Sequence, residues 1–304
     1  MTALVLGALG LTLSLVVPGV LAAARWPDRA PAAAVLLWQA ITLTAVLCAL
    51  GVVLAGPEEL TREAGAEHPI TAAALVFSLL VAGTIVIRLL ISLGRVTYRA
   101  RARRARHRML VDLLDRVERH QELSGDEVRV LDGPLPLAYC VPGREPRVVL
   151  SDAVLRVLDA PQVDAVLAHE RAHLRHRHEL VMESFTAFYQ AVPPPLRSRA
   201  PLDAVHELLE MVADDAARRR TGPDPLRAAL ARLSDAVPLA GEAAPAGRAG
   251  EARRRRLDRL DGPDRTSSPL TAVAGAGAIG LVVLPTVIVV VPWLTLALKA
   301  WPFR

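Results

Sequence analysis

The chain has 304 residues, 52% of them hydrophobic, a formal net charge of +5 and two cysteines. Mean hydropathy is positive, which excludes a purely soluble domain and directs the search to membrane spans of roughly 20 apolar residues. Cys48 and Cys140 offer no disulfide framework, fit a reducing compartment and read as packing residues.

Four segments qualify as spans: 1–24, 32–55, 70–93 and 270–298. The first ends in VLAAAR, like a signal-peptide cleavage site, but no Lys or Arg precedes its apolar run and more spans follow. It reads as a retained helix. Arg88 sits near one end of the third span, where it can reach the interface. Pro285 and Pro292 interrupt the fourth. Basic loops stay cytoplasmic. Arg25 and Arg29 follow span one, Glu58, Glu59, Glu63 and Glu67 follow span two, RVTYRARARRARHR follows span three, and EARRRRLDRL precedes span four. The N-terminus and the tail 299–304 are therefore expected outside and the intervening domain cytoplasmic. The arginine clusters read as headgroup contacts rather than as a nucleic-acid surface.

Between spans three and four the pattern is α+β. Residues 107–123 carry apolar residues at helical spacing. EVRVLDG reads as a strand and turn, and AYCVPG with RVVLSD as a hairpin. Ser151 or Asp152 caps a short helix, and Pro161 opens the next. Further helices are expected over ELVMESFTAFYQAV, LDAVHELLEMVADDAARRR and 225–236, with a small-residue linker at 238–250.

The helix opened by Pro161 contains His169-Glu170-Arg171-Ala172-His173. Positions four apart share a helical face, so both imidazoles can hold one Zn²⁺. Glu170 is placed to act as general base toward water, and zinc acidifies that water and polarises the scissile carbonyl. A catalytic zinc takes a third protein ligand. HELLEMVADDAARRR offers His206, Glu207, Glu210, Asp214 and Asp215. Glu210 and Asp214 share a face, with Glu210 the chosen ligand and Asp214 the residue that orients a ligand imidazole. His176 and His178, flanked by Arg175 and Arg177, read as a solvated basic helix end.

Three spans, a zinc-binding domain and a fourth span resemble the BlaR/MecR-type antirepressor metallopeptidases. The residues that carry the resemblance are AYCVPGREPRVVLSD, VDAVLAHERAHLRHRH and the Glu-x-x-x-Asp of Glu210 and Asp214. HtpX-type peptidases share that Glu-x-x-x-Asp logic. The resemblance implies a mostly α membrane protein of four transmembrane helices (1–94 and 269–304), with a zincin-like cytoplasmic peptidase domain at 95–268. It implies zinc on His169, His173 and Glu210, and an inner-membrane endopeptidase that cleaves a BlaI/MecI-like repressor. The HtpX-like alternative is quality control or processing of membrane proteins, and the non-enzyme alternative is a membrane scaffold with a degenerate site. The β-lactam sensors carry a penicillin-binding domain after the last helix, and the sequence to Arg304 leads to the expectation of a sensor-less relative. RVVLSD is the strand the resemblance offers for pairing with substrate, and the Arg253 to Arg259 stretch is an exposed candidate for self-cleavage.

Overall fold

The computed structural model describes residues 2–64, 69–114, 128–194, 197–236, 246–262 and 268–299. Residues 115–123 of the expected helix, 238–245 of the expected linker and the tail 300–304 lie outside the described residues. In chain order the elements are α1 (Thr2–Leu15), α2 (Val17–Ala23), a 3₁₀ turn (Trp26–Arg29), α3 (Pro31–Ala64) and α4 (Pro69–Leu114). There follow β1 (Val128–Leu131), β2 (Ala138–Val141), β3 (Arg147–Ser151), α5 (Asp152–Val157), α6 (Ala160–Arg175) and α7 (His178–Ala191). The chain continues through α8 (Ala200–Thr221), α9 (Pro223–Ala236), α10 (Ala246–Asp261) and α11 (Ser268–Lys299). Among the described residues, Thr2–Ala23, Pro31–Gly56, Ala72–His107 and Pro269–Ile288 are long and apolar enough to cross a membrane.

The chain divides into two compact units, Met1–Val96 with Ser184–Val205 and Thr266–Arg304, and Thr97–Glu183 with His206–Arg265. This differs from a division at 94 and 268. Residues 184–205 belong with the apolar helices because specific contacts hold them there. Arg88 Nε donates to the Ala191 carbonyl at 2.6 Å and Ser92 Oγ to the Ala187 carbonyl at 2.7 Å. Phe185 meets Trp38 edge-on with centroids 6.3 Å apart. Arg88 therefore satisfies an orphan carbonyl in the last turn of α7.

In the first unit α3 packs against α1 and α11. Ala3, Leu6, Cys48, Ala49, Val52, Leu75 and Ala82 form its largest buried cluster. Small residues let the helices approach: a Cβ on Gly10 would stand 3.0 Å from Cys48 Cβ. Glu59 Oε1 accepts from Thr2 N at 2.8 Å, so the start of α1 and the end of α3 share one end of the bundle. α11 is a continuous helix through Pro285 and Pro292, where the sequence suggested a break. Neighbouring helices make such prolines tolerable in apolar helices.

In the second unit the sheet order is β1-β3-β2, with β1 parallel and β2 antiparallel to β3. Ser151 ends β3 and caps α5, its side chain accepting from Val154 N. β3 is thus the central strand, and the expected role for RVVLSD as an open edge is corrected. Its run of buried Val148, Val149, Leu150 and Ser151 is that of a strand covered on both faces. Val148, Leu150, Val154, Leu158, Val163, Val166, Leu167 and Ala229 form the core that joins the sheet to α6 and α9.

Candidate metal centre

α6 is fixed at its start by a capping box. Asp159 Oδ1 accepts from Gln162 N at 3.1 Å, and Gln162 Oε1 accepts from Asp159 N at 3.3 Å. Its apolar face enters the core, which turns His169 and His173 toward α8. On α8 the buried Val205, Leu208, Met211, Ala213 and Ala217 fix the helix rotation, and Glu210 and Asp214 present their carboxylates to α6. The helix ends at Gly222, where φ is +84°, a conformation that favours glycine.

His169, His173 and Glu210 form the cluster able to hold a metal, with their ligand atoms all within 4.8 Å of one another. The two Nε2 atoms are 3.1 Å apart. His169 Nε2 lies 3.5 Å from Glu210 Oε2, and His173 Nε2 lies 3.3 Å from Glu210 Oε1. Metal–ligand bonds of about 2.0–2.1 Å in tetrahedral geometry separate ligand atoms by roughly 3.3 Å, so the donor set fits zinc in kind and in spacing.

Each ligand imidazole has a partner on its other nitrogen. Asp214 Oδ1 is 3.0 Å from His169 Nδ1. His178 Nδ1 is 2.8 Å from His173 Nδ1. If His173 Nε2 is to offer a lone pair, Nδ1 carries the proton and His178 accepts it. A neutral His178 is what its surroundings favour: burial, then the neighbouring His173, push its pKa down to about 3. The solvated basic end expected for His178 is therefore corrected, because the residue is buried.

Arg256 of α10 ties the carboxylates together. Its Nε and Nη2 donate to Asp214 Oδ2 and Oδ1 at 2.7 and 2.8 Å, and its Nη1 lies 2.9 Å from Glu210 Oε2. Arg255 pairs with Glu207 at 2.5 Å and Arg259 with Asp215 at 3.1 Å. Residues 246–250, expected in a linker, are the first turns of α10. Its arginines 255, 256 and 259 face α8 carboxylates, so the expected headgroup contact and exposed cleavage stretch are corrected at these positions.

Burial opposes the charged form of His169, but hydrogen bonds to Asp214 and Glu210 and their charges outweigh it and raise its pKa to about 9. A metal therefore displaces a proton here. Burial, then the charges of His169 and Arg256, lower His173 to about 4 against the pull of Glu210. Burial would raise Glu210 and Asp214. The hydrogen bond of Glu210 to His169 and the Arg256 charge hold Glu210 low, and hydrogen bonds from Arg256 and His169 hold Asp214 low. Glu170 is raised, chiefly by burial, which makes its carboxylate a stronger base. The Cys140 thiol on β2 lies beside Glu170 and is itself raised to about 12, first by burial and then by the Glu170 charge. Cys140 is thus more than packing.

Sequence reasoning reached His169, Glu170, His173, Glu210 and Asp214, and the structure brings them to one place. It missed Asp159, His178, Cys140 and Arg256. Arg256 lies one turn before the buried Leu260 on α10, a burial that the arginine-rich sequence around it did not announce.

Residues 100–196 match the family model of Peptidase family M48. An 83-residue stretch is 30% identical to a Protease HtpX homolog of Thermoplasma acidophilum. That stretch is 27% of this chain and 26% of the relative, so the chain spans about a quarter of the length of that curated protein. No solved structure matches. Four apolar helices, the His-His-Glu cluster and these likenesses support a membrane metallopeptidase. Glu210, Asp214 and Arg256 lie beyond residues 100–196, which the family model matches, and rest on the geometry.

Proposed function

We propose that this chain is an integral-membrane zinc metalloendopeptidase, with its peptidase unit on the cytoplasmic side. The observation that carries the reading is the His169–His173–Glu210 cluster, buried at His169 and half-buried at the other two, with Glu170 beside it and outside the ligand set. Zinc, when bound, supplies a Lewis acid that polarises the scissile carbonyl. Glu170 takes a proton from the attacking water and returns it to the leaving nitrogen. Asp214 and His178 fix the tautomers of the two ligand imidazoles. Arg256 offsets the charge of Glu210 and Asp214, so that both carboxylates stay ionised when the imidazoles are neutral.

The substrate backbone pairs along β2. β3 is flanked by β1 and β2, the outer edge of β2 has no strand partner among the described residues, and Cys140 on β2 reaches Glu170. Likeness to an HtpX homolog favours processing of membrane proteins. A second reading, cleavage of a cytoplasmic BlaI/MecI-like repressor, is favoured by the order of three apolar helical stretches, the peptidase unit and a fourth stretch.

The test is proteolysis by the detergent-purified chain. We expect casein and peptide libraries to be cut, a chelator to stop it, zinc to restore it, and Glu170→Gln to lower the rate about 10²–10⁴-fold. Cleavage that survives both chelation and Glu170→Gln would sink the reading.

A further inference from the structure

A cavity of about 510 Å³ in the second unit is lined by Arg101 and Arg104 of α4, Arg144 of the β2–β3 turn, Arg177 between α6 and α7, and Glu179 and Leu180 of α7. Four guanidinium groups face one carboxylate. Arg104 has an ion pair with Glu183 at 2.6 Å, whereas Arg101 and Arg144 have none among the described residues. Such a concentration of like charge in a concave wall attracts anions and is relieved by them.

The backbone at Arg177 points the same way. Its φ is +49°, and it alone among the described non-glycine residues has a positive φ. The position follows the C-cap His176 of α6, where glycine or asparagine is the usual occupant. An arginine held there is strained, and such strain points to a use for the side chain.

The cavity's lining residues neighbour the metal centre along the chain, Leu174 following the ligand His173. The chain passes from Cys140, which contacts Glu170, through Val141 into the 142–146 turn. Glu179 and Leu180 follow His178, whose ring reaches His173. A peptide antiparallel to β2 has its N-terminal residues opposite the C-terminal end of β2, next to the 142–146 turn that lines the cavity.

We propose that the arginine-lined cavity is a substrate subsite that selects acidic side chains on the N-terminal side of the scissile bond. This rests on the peptidase reading. The place of Pro142, Leu174, Arg177 and Glu179 within two residues of Cys140, His173 and His178 favours a peptide over an anionic lipid headgroup, the other ligand that guanidinium groups recognise.

The test uses the full chain in zwitterionic lipid nanodiscs and fluorescent peptides that differ only in an Asp/Glu, Gln or Lys run before one cleavable stretch. Binding is read by anisotropy and cleavage by product formation. The expected result is acidic over basic by roughly tenfold in both, lost at high salt and in Arg144→Glu or Arg101→Glu. Both substitutions fall on exposed side chains without ion-pair partners, and the readout is the acidic-to-neutral ratio within each variant. Equal handling of the three peptides overturns the subsite, even where cleavage upholds the peptidase. Preferential binding of the acidic peptide with no cleavage upholds the cavity as an acidic-peptide site and sinks the peptidase reading. If the peptides are handled equally and Arg144→Glu instead weakens binding to phosphatidylglycerol vesicles, the cavity is a headgroup site and the proposal falls.

Discussion

The seam between α1 and α3 and the seam between α6 and α8 bury opposite kinds of side chain. The first holds Ala3, Leu6, Gly10, Cys48 and Val52, while Leu11, Leu43 and Leu54 point outward. The second holds His169, Glu210 and Asp214, with Arg256 of α10 beside them. Small side chains and close backbones hold the apolar seam, as suits helices in a medium as greasy as their own surfaces. The polar seam is held by charges that are each satisfied by another buried charge. The first should therefore respond to volume and the second to the loss of a partner.

The largest effect on stability is expected at Arg256. Asp214 is almost wholly buried, so Arg256→Met takes away its two guanidinium hydrogen bonds and leaves only the His169 imidazole beside its charge. We expect a loss of about 3–5 kcal/mol, read as the unfolding free energy of the full chain in detergent. A loss as small as that of an exposed arginine such as Arg254 would contradict the account.

The pH profile of the metal-free chain sharpens the same contrast. His173 and His178 titrate near 4 and 3 in the folded state, below the 6.5 of an unfolded histidine. Their contribution is full above pH 6.5 and is lost as the pH falls through 4 and 3, because the unfolded chain takes up protons that the folded chain refuses. His169 has the opposite sign. With a folded pKa of about 9, its contribution is full below pH 6.5 and is lost as the pH rises through 9. Stability in chelator should peak near pH 6.5, and bound zinc should remove the alkaline arm by displacing the His169 proton. A flat profile in chelator would count against the geometry.

A smaller effect is expected at His178. Replacing it by Phe keeps the ring volume and removes the acceptor for His173, which should weaken zinc binding about 10–100-fold in a competition titration. The apolar seam gives the smallest changes. Gly10→Leu forces Cβ against Cys48 and should cost about 1–3 kcal/mol. Leu54→Ala, on a side chain 70% exposed, should stay within about 0.5 kcal/mol. Equal effects at Gly10 and Leu54 would deny that this seam is tightly packed.

What the sequence made legible was local. His169, Glu170 and His173 lie on one helix, and Glu210 with Asp214 on another, so periodicity alone set their faces. Strand identity was legible for the same reason, and so was the hairpin of β2 with β3, but the pairing of β1 on the other side of β3 was not. Alternation reports which face is buried and says nothing of which strand lies alongside. The consecutive buried run Val148–Leu150 was the available clue that β3 is central. Arg256 was illegible because an arginine run before an apolar helix has two readings, headgroup contact or pairing with carboxylates. The carboxylates that decide between them lie 42–46 residues earlier in the chain.

The most direct test of the central claim is metal content. Zinc should be measured by elemental analysis in purified wild type, Glu170→Gln, and the pair His169→Ala and Glu210→Ala. The account predicts about one zinc per chain in wild type and in Glu170→Gln, and little in the other two. Zinc retained in Glu210→Ala as tightly as in wild type, or lost in Glu170→Gln, would contradict the assignment of three ligands and a separate base.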